Sequence, residues 1–259
     1  MKLSKLFFAS VIALGFNAFA ADNSIYIDQA GDNATITMTQ DGASNRVRGI
    51  QGQGTGNTTP STIYGDNIAV TIQQIGSGNI LNMGIDTSTA NGSSPTSVNY
   101  KVTGSNAVAT INLNANGAGV NASSAVAIDQ TGDGAIANIN ILGSNNSLTA
   151  VTAGGNNNKL VATINANNVG VNVNQTGGGG NETTLNLTGD KGTVNLTTVG
   201  ASNITNITQS GGAVVGHAAT VSLTGSSNNT TILQQGTVDS TVNIVGVGSG
   251  NTFNITSKN

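Results

Sequence analysis

Apolar and polar residues alternate along most of this chain, and the alternation repeatedly breaks on a glycine. Ile25 and Ile27 lead through Gln29 to Gly31, and Ile36 and Met38 lead through Gln40 to Gly42. The template returns as Val70, Ile72, Gln74 and Gly76, as Val126, Ile128, Gln130 and Gly132, and as Val171, Val173, Gln175 and Gly177. A period of two sends alternate side chains to opposite faces of an extended chain, so each unit predicts a strand and not a helix. The glycine, often followed by asparagine, supplies the turn, because both residues tolerate positive φ. Gly31 with Asn33, Gly42 with Asn45, Gly76 with Asn79 and Gly200 with Asn203 are such pairs, and Gly132 and Gly177 close their units in the same way.

The spacing predicts how the strands are arranged. Gly132 and Gly143 lie 11 residues apart, as do Gly189 and Gly200, while Gly177 and Gly189 lie 12 apart. Self-similarity at a short fixed period marks a solenoid, and two such units give a rung of about 22–23 residues. The predicted fold is therefore all-β: a β-solenoid, or β-helix, with two short strands per rung and irregular loops interrupting it. Two of these loops fall near 51–67 and 86–97. They hold Pro60 and Pro95, the only prolines, and proline cannot donate to a strand ladder. Residues 155–170 are expected to hold a degenerate unit around Leu160 to Ile164.

Within each unit the first two apolar residues face inward, and the third inward position is often Gln: Gln29, Gln40, Gln74 and Gln130, and again Gln175, Gln209 and Gln234. A buried amide left unpaired costs ~1–3 kcal/mol. A column of glutamines, each bonded to the rung above and below, would remove that cost. Outward positions are mostly Asn, Thr and Ser, for example Asn112 with Asn114 and Asn172 with Asn174. Stacked strands would bring identical amides to about 4.8 Å, within reach of axial ladders.

Composition sharpens this picture. The chain has no cysteine, so no disulfide framework holds it. Lys2 and Lys5, an apolar run from Leu6 to Phe16 and the small-x-small triplet Ala18-Phe19-Ala20 predict a signal peptide over 1–20. The repeat domain then spans 21–259 and is exported. The apolar run is too short to span a membrane as a helix. Removing Lys2 and Lys5 from the eight basic residues leaves six against eleven acidic ones, a net charge of −5. That balance argues against nucleic acid as a partner.

Candidate chemistry is sparse. His217 is the only histidine, too few for a histidine-based triad or cluster, and its Gly/Ala/Val surroundings predict a solvated turn. Asp129 with Asp133 and Asp28 with Asp32 could pair, but Asp32 and Asp133 follow template glycines, where turn chemistry accounts for them. Gly177 to Leu185 resembles one calcium nonapeptide, but it occurs once and the period is wrong. No catalytic, metal or cofactor site is expected, and the chain is not expected to be an enzyme. Open strand edges template further pairing, and soluble solenoids need capping units. The first unit starts at Ile25 and the last strand-like unit is Phe253 to Ile255, with no amphipathic helix beside either. Copies of the chain are therefore expected to stack end to end as a homopolymer.

The opening segment from Ile25 through Gln29, Gly31 and Asn33 to Gln40-Asp41-Gly42-Ala43-Ser44-Asn45 resembles a curlin repeat, in which Gln-x-Gly-x-x-Asn and a second Gln close two short strands. The resemblance is strongest over 25–45 and good around 70–79, 126–134 and 171–181. It implies a functional amyloid: a subunit secreted through an outer-membrane pore, nucleated at the cell surface by a nucleator subunit, and assembled into extracellular fibres for adhesion and biofilm. Two alternatives belong to other classes. A non-polymerising surface solenoid, acting as an adhesin or glycan binder, would need an aromatic row, for which Tyr26, Tyr64 and Tyr100 are too scattered. An ice-binding solenoid would need a regular Thr column, of which Thr35, Thr37 and Thr39 supply one row.

Overall fold

The computed structural model describes residues 24–258 except 26, 30–33, 50–60, 64–66, 77, 87–95, 105, 115–123, 132–134, 143–145, 154–156, 166–168, 178–179, 189–190, 201, 212–216, 226, 237–239 and 249. The predicted signal peptide, Pro60 and Pro95 lie outside the described residues, as do Tyr26, Tyr64, Asp32 and Asp133.

Nineteen strands, β1 to β19 in chain order, make up the described fold, and no helix occurs among the described residues. The even-numbered strands form a nine-stranded sheet, sheet I: β2 (Thr35–Asp41), β4 (Ile68–Ile75), β6 (Thr96–Thr103), β8 (Ser124–Thr131), β10 (Asn146–Ala153), β12 (Gly170–Thr176), β14 (Thr193–Val199), β16 (Ala218–Thr224) and β18 (Thr241–Val247). The odd-numbered strands from β5 onward form an eight-stranded sheet, sheet II: β5 (Met83–Asp86), β7 (Val108–Asn114), β9 (Ile136–Leu142), β11 (Asn157–Asn165), β13 (Gly180–Thr188), β15 (Ser202–Ser210), β17 (Thr230–Ile232) and β19 (Phe253–Ile255). β1 (Ile27–Gln29) and β3 (Ser61–Ile63) pair separately. Every ladder is parallel, and each strand pairs with the strand two places along the chain. The chain thus crosses from one sheet to the other at every turn. Parallel sheets need such crossovers, because a tight hairpin joins only antiparallel strands.

Alternation places the core between the sheets. In β6 the burial alternates residue by residue, with Thr96, Val98, Tyr100 and Val102 inward and Ser97, Asn99, Lys101 and Thr103 outward. One apolar cluster joins Val70 and Ile72 of sheet I to Ile111 and Leu113 of sheet II. Tyr100 is its bulkiest fully buried member.

The register advances by a nearly constant amount. Glu182 follows its partner Lys159 by 23 residues, Asn203 follows Asn181 by 22, and Gln234 follows Gln209 by 25. Earlier in the chain the step is 28 between Asn112 and Asn140 and 34 between Asn45 and Asn79. The longer steps contain residues 50–60, 87–95 and 115–123, which lie outside the described residues. The loops expected near 51–67 and 86–97 fall largely there; within those bounds Ser61–Ile63 forms β3, Asp86 ends β5, and Thr96 and Ser97 begin β6. Residues 157–165 are not degenerate. They form β11, a nine-residue strand paired on both sides, with Leu160, Ala162 and Ile164 buried.

Candidate functional site: the amide columns and the open end

Among the described residues, turns leaving sheet I begin on stacked glycines: Gly76 over Gly42, Gly104 over Gly76, and Gly200, Gly225 and Gly248 each over the glycine of the preceding turn. Gly76 donates its N–H to Thr103 O at 2.9 Å, and Gly200 donates to Thr224 O at 2.9 Å. A Cβ on Gly76 would overlap the carbonyl oxygen of Gly42, and its φ of +112° disfavours any other residue. Gly42 also has positive φ, and Gly177 keeps the same ladder through Val199 O at 3.0 Å. Gly31, Asn33 and Gly132 lie outside the described residues.

The asparagines that follow these glycines correct the sequence reading. Asn45, Asn79 and Asn203 are not positive-φ turn formers. They point inward and are fully buried, as are Asn158, Asn181 and Asn228. Asn79 Nδ2 donates to Asn45 Oδ1 at 2.7 Å, Asn203 Nδ2 donates to Asn181 Oδ1 at 3.1 Å, and Asn228 Nδ2 donates to Asn203 Oδ1. Ala107 and Ala135 stand in the same register between Asn79 and Asn158, and there the column is interrupted. Physically, Asn158, Asn181 and Asn203 are the first inward residues of β11, β13 and β15, and Asn228 lies two residues before the inward Thr230 of β17, so alternation carries them to the inside. A shorter ladder on the outer face joins Asn140 Nδ2 to Asn112 Oδ1 at 3.3 Å.

The glutamines behave differently from the predicted column. Gln40, Gln74, Gln130, Gln175, Gln209 and Gln234 are all buried, but they do not form one stack. Gln40 and Gln74 are register partners in sheet I, whereas Gln74 is followed by Val102, and Thr152 separates Gln130 from Gln175. Gln209 and Gln234 belong to the sheet II side, where Gln209 Nε2 donates to Gln234 Oε1 at 2.8 Å. Gln29 lies in β1 opposite Ile63. The recurring bond instead crosses the turn. Gln74 Nε2 donates to Ile80 O at 3.3 Å, Gln130 Nε2 to Ile136 O at 3.2 Å, Gln175 Nε2 to Glu182 O at 3.2 Å, and Gln40 Nε2 to Arg46 O. Each glutamine occupies the last inward position before the turn, within reach of the backbone that opens the next strand. Its amide N–H fastens sheet I to the chain entering sheet II. The second amide atom is used where a hydroxyl is near. Tyr100 Oη donates to Gln74 Oε1 at 2.6 Å, and Thr183 Oγ1 donates to Gln175 Oε1. Burial pushes the Tyr100 phenol well above its ordinary range.

His217 is also not the solvated turn residue expected. It is buried, and its ring fills the space a Cβ on Gly236 would take. It directly precedes β16, two residues before the inward Ala219, so the same parity draws it inside. Asp129 faces outward and pairs with Lys101 at 3.5 Å between neighbouring strands. Lys159 pairs in the same way with Glu182 at 2.9 Å on the other sheet. Among the described residues no cluster of His, Cys, Asp or Glu is suited to hold a metal.

The last strands complete the site. Phe253 and Ile255 stand in register with the inward Thr230 and Ile232, which are fully buried, yet Phe253 is 42% and Ile255 49% exposed. Val242 and Ile244 of β18 are only half-buried, while their partners Ala219 and Val221 are covered. At the opposite edge of sheet I, Ile36 and Met38 are half-buried, and their partners Val70 and Ile72 are covered. Both edges therefore present core positions that are covered less than their register partners further inside.

These features define a β-solenoid-like, all-β protein of parallel strands in two stacked sheets. No family model, curated protein or solved structure matches the chain.

Proposed function

We propose that this chain is an exported, non-enzymatic subunit of an extracellular fibre of the curlin type, a β-solenoid of two strands per rung whose copies stack end to end. Register steps of 22, 23 and 25 residues support the rung, with longer steps of 28 and 34 earlier in the chain. One observation carries the functional reading: the incompletely covered inward residues Val242, Ile244, Phe253 and Ile255 at one edge, and Ile36 and Met38 at the other. Strand edges with unpaired backbone groups beside exposed core positions are templates for another strand. Sheet I is parallel throughout, so a new copy could extend its ladder without a change of direction. By the resemblance of residues 25–45, a surface nucleator and an outer-membrane pore are the partners in assembly, and adhesion and biofilm are its roles.

The test uses residues 21–259 purified in denaturant and then freed of it. A lag followed by thioflavin-positive fibres with a meridional reflection at ~4.7–4.8 Å is expected. A chain that refolds to a lasting monomer at all concentrations would refute the proposal.

A further inference from the structure

The outer face of sheet I divides into two parts. From β2 to β8 it carries Asp41, Lys101 and Asp129. From β10 to β18 its outward residues are Thr, Asn, Ser, Ala, Gly and Val, without a charge. Three of the chain's most exposed large apolar side chains, Val199, Val245 and Val247, lie on this part, at 42%, 53% and 58% exposure. The outer face of sheet II is unlike it, since it holds the Lys159–Glu182 pair and Lys258.

From this we infer that the outer face of β10, β12, β14, β16 and β18 is a lateral docking surface for the same face of a second copy, and that it bundles fibres side by side. The inference rests on the fibre reading. The mature chain has a net charge of −5, so two copies repel unless they meet on a neutral surface. This face brings no ion out of water when covered. Its amides and hydroxyls each donate and accept, so an identical face can satisfy them, as in a dry zipper between paired sheets. A charged or apolar partner would leave Asn195, Thr197 and Asn243 with unmatched polar groups.

Area decides when docking occurs. Five strands at ~4.8 Å spacing and seven residues at ~3.3 Å each give a patch on the order of 550 Å2. A stable pair buries about 800 Å2 per partner. One patch is too small to hold two single copies together. A fibre repeats the patch in every subunit, and once the first pair docks the next is held at high local concentration. Lateral association therefore follows axial assembly and does not precede it.

The experiment compares native fibres with two variants of the full mature chain. Val199→Lys with Val245→Lys places like charges on the proposed face, at exposed positions two strands apart. Asn138→Lys with Asn186→Lys does the same on the outer face of sheet II, again at exposed positions two strands apart. Thioflavin kinetics report axial growth, and electron microscopy with low-speed sedimentation reports bundling. The expected result is unchanged growth in all three, with bundles in the native and Asn variants and single fibres in the Val variant. Bundling of the Val variant to native width would overturn the inference while leaving the fibre reading intact. Equal loss of bundling in the Asn variant would also overturn it, because the effect would then be general charge. Native fibres that grow but never bundle exclude it, and absence of native fibres refutes the underlying reading and the inference with it.

Discussion

Replacing Phe253 and Ile255 together by serine tests the proposed end-to-end contact. Both side chains occupy core positions in register with Thr230 and Ile232, yet each leaves close to half its surface in water. The native monomer therefore draws only part of their burial energy, and the rest is released when another copy covers the edge. A Phe buries roughly 200 Å2, so the exposed two-fifths is about 80 Å2, or ~2 kcal/mol at 25 cal/mol per Å2. Full burial of Ile is worth ~2 kcal/mol, so the exposed half adds ~1 kcal/mol. The joint should lose ~3 kcal/mol in all, which is about a hundredfold in an association constant. The assay is the concentration of chain left soluble after assembly reaches its plateau. It should rise about a hundredfold in the double variant, with circular dichroism of the freshly refolded monomer unchanged. If the soluble concentration stays at the native value, this edge takes no part in the joint and the reasoning from exposed core positions fails.

Other expectations concern the interior. Asn203→Ala strands the buried Asn181 Oδ1 and Asn228 Nδ2, at ~1–3 kcal/mol each, and should lower the denaturant midpoint by more than an exposed Asn195→Ala. Gly76→Ala forces a side chain against the Gly42 carbonyl at positive φ and should cost on the order of 2 kcal/mol or more in equilibrium unfolding. The buried Tyr100 phenol is held neutral, with its pKa raised above the ordinary 10 by burial. The unfolded chain loses that proton first as pH rises. Stability should be constant with respect to Tyr100 below pH ~10 and fall above it. Tyr100→Phe should flatten that alkaline limb at the expense of the bond to Gln74, and an unaltered limb in unfolding titrations would show that another group sets it.

Strand positions are legible in the sequence because alternation and burial have the same period. Ile72 and Gln74, or Val171 and Val173, mark the inward face by their spacing alone. The asparagines are ambiguous, because Asn after Gly fits a turn as well as it fits a buried ladder. The distinguishing signal is parity. Asn79 stands two before Leu81, and Asn203 two before Thr205 and four before Ile207, all inward. Extending each strand's alternation backward across the turn places these amides inside, and His217 with them. The glutamine bonds are not legible, because the register neighbour does not decide them: Gln40 has Gln74 beside it yet reaches across the turn to Arg46 O, while Gln209 reaches both Ala218 O across the turn and Gln234 Oε1 along the stack.

The four asparagine-to-asparagine bonds among the described residues run one way. Asn79, Asn140, Asn203 and Asn228 each hand their amide hydrogen back to the preceding layer. Aligned dipoles of this kind give the molecule an arrow along its length, with oxygen facing onward and hydrogen facing back. A filament built from it has a front and a rear of different chemistry. If copies stack end to end as proposed, a seed offering amide donors to this column would match the front better than the rear, and the first capture would set the heading that later subunits inherit.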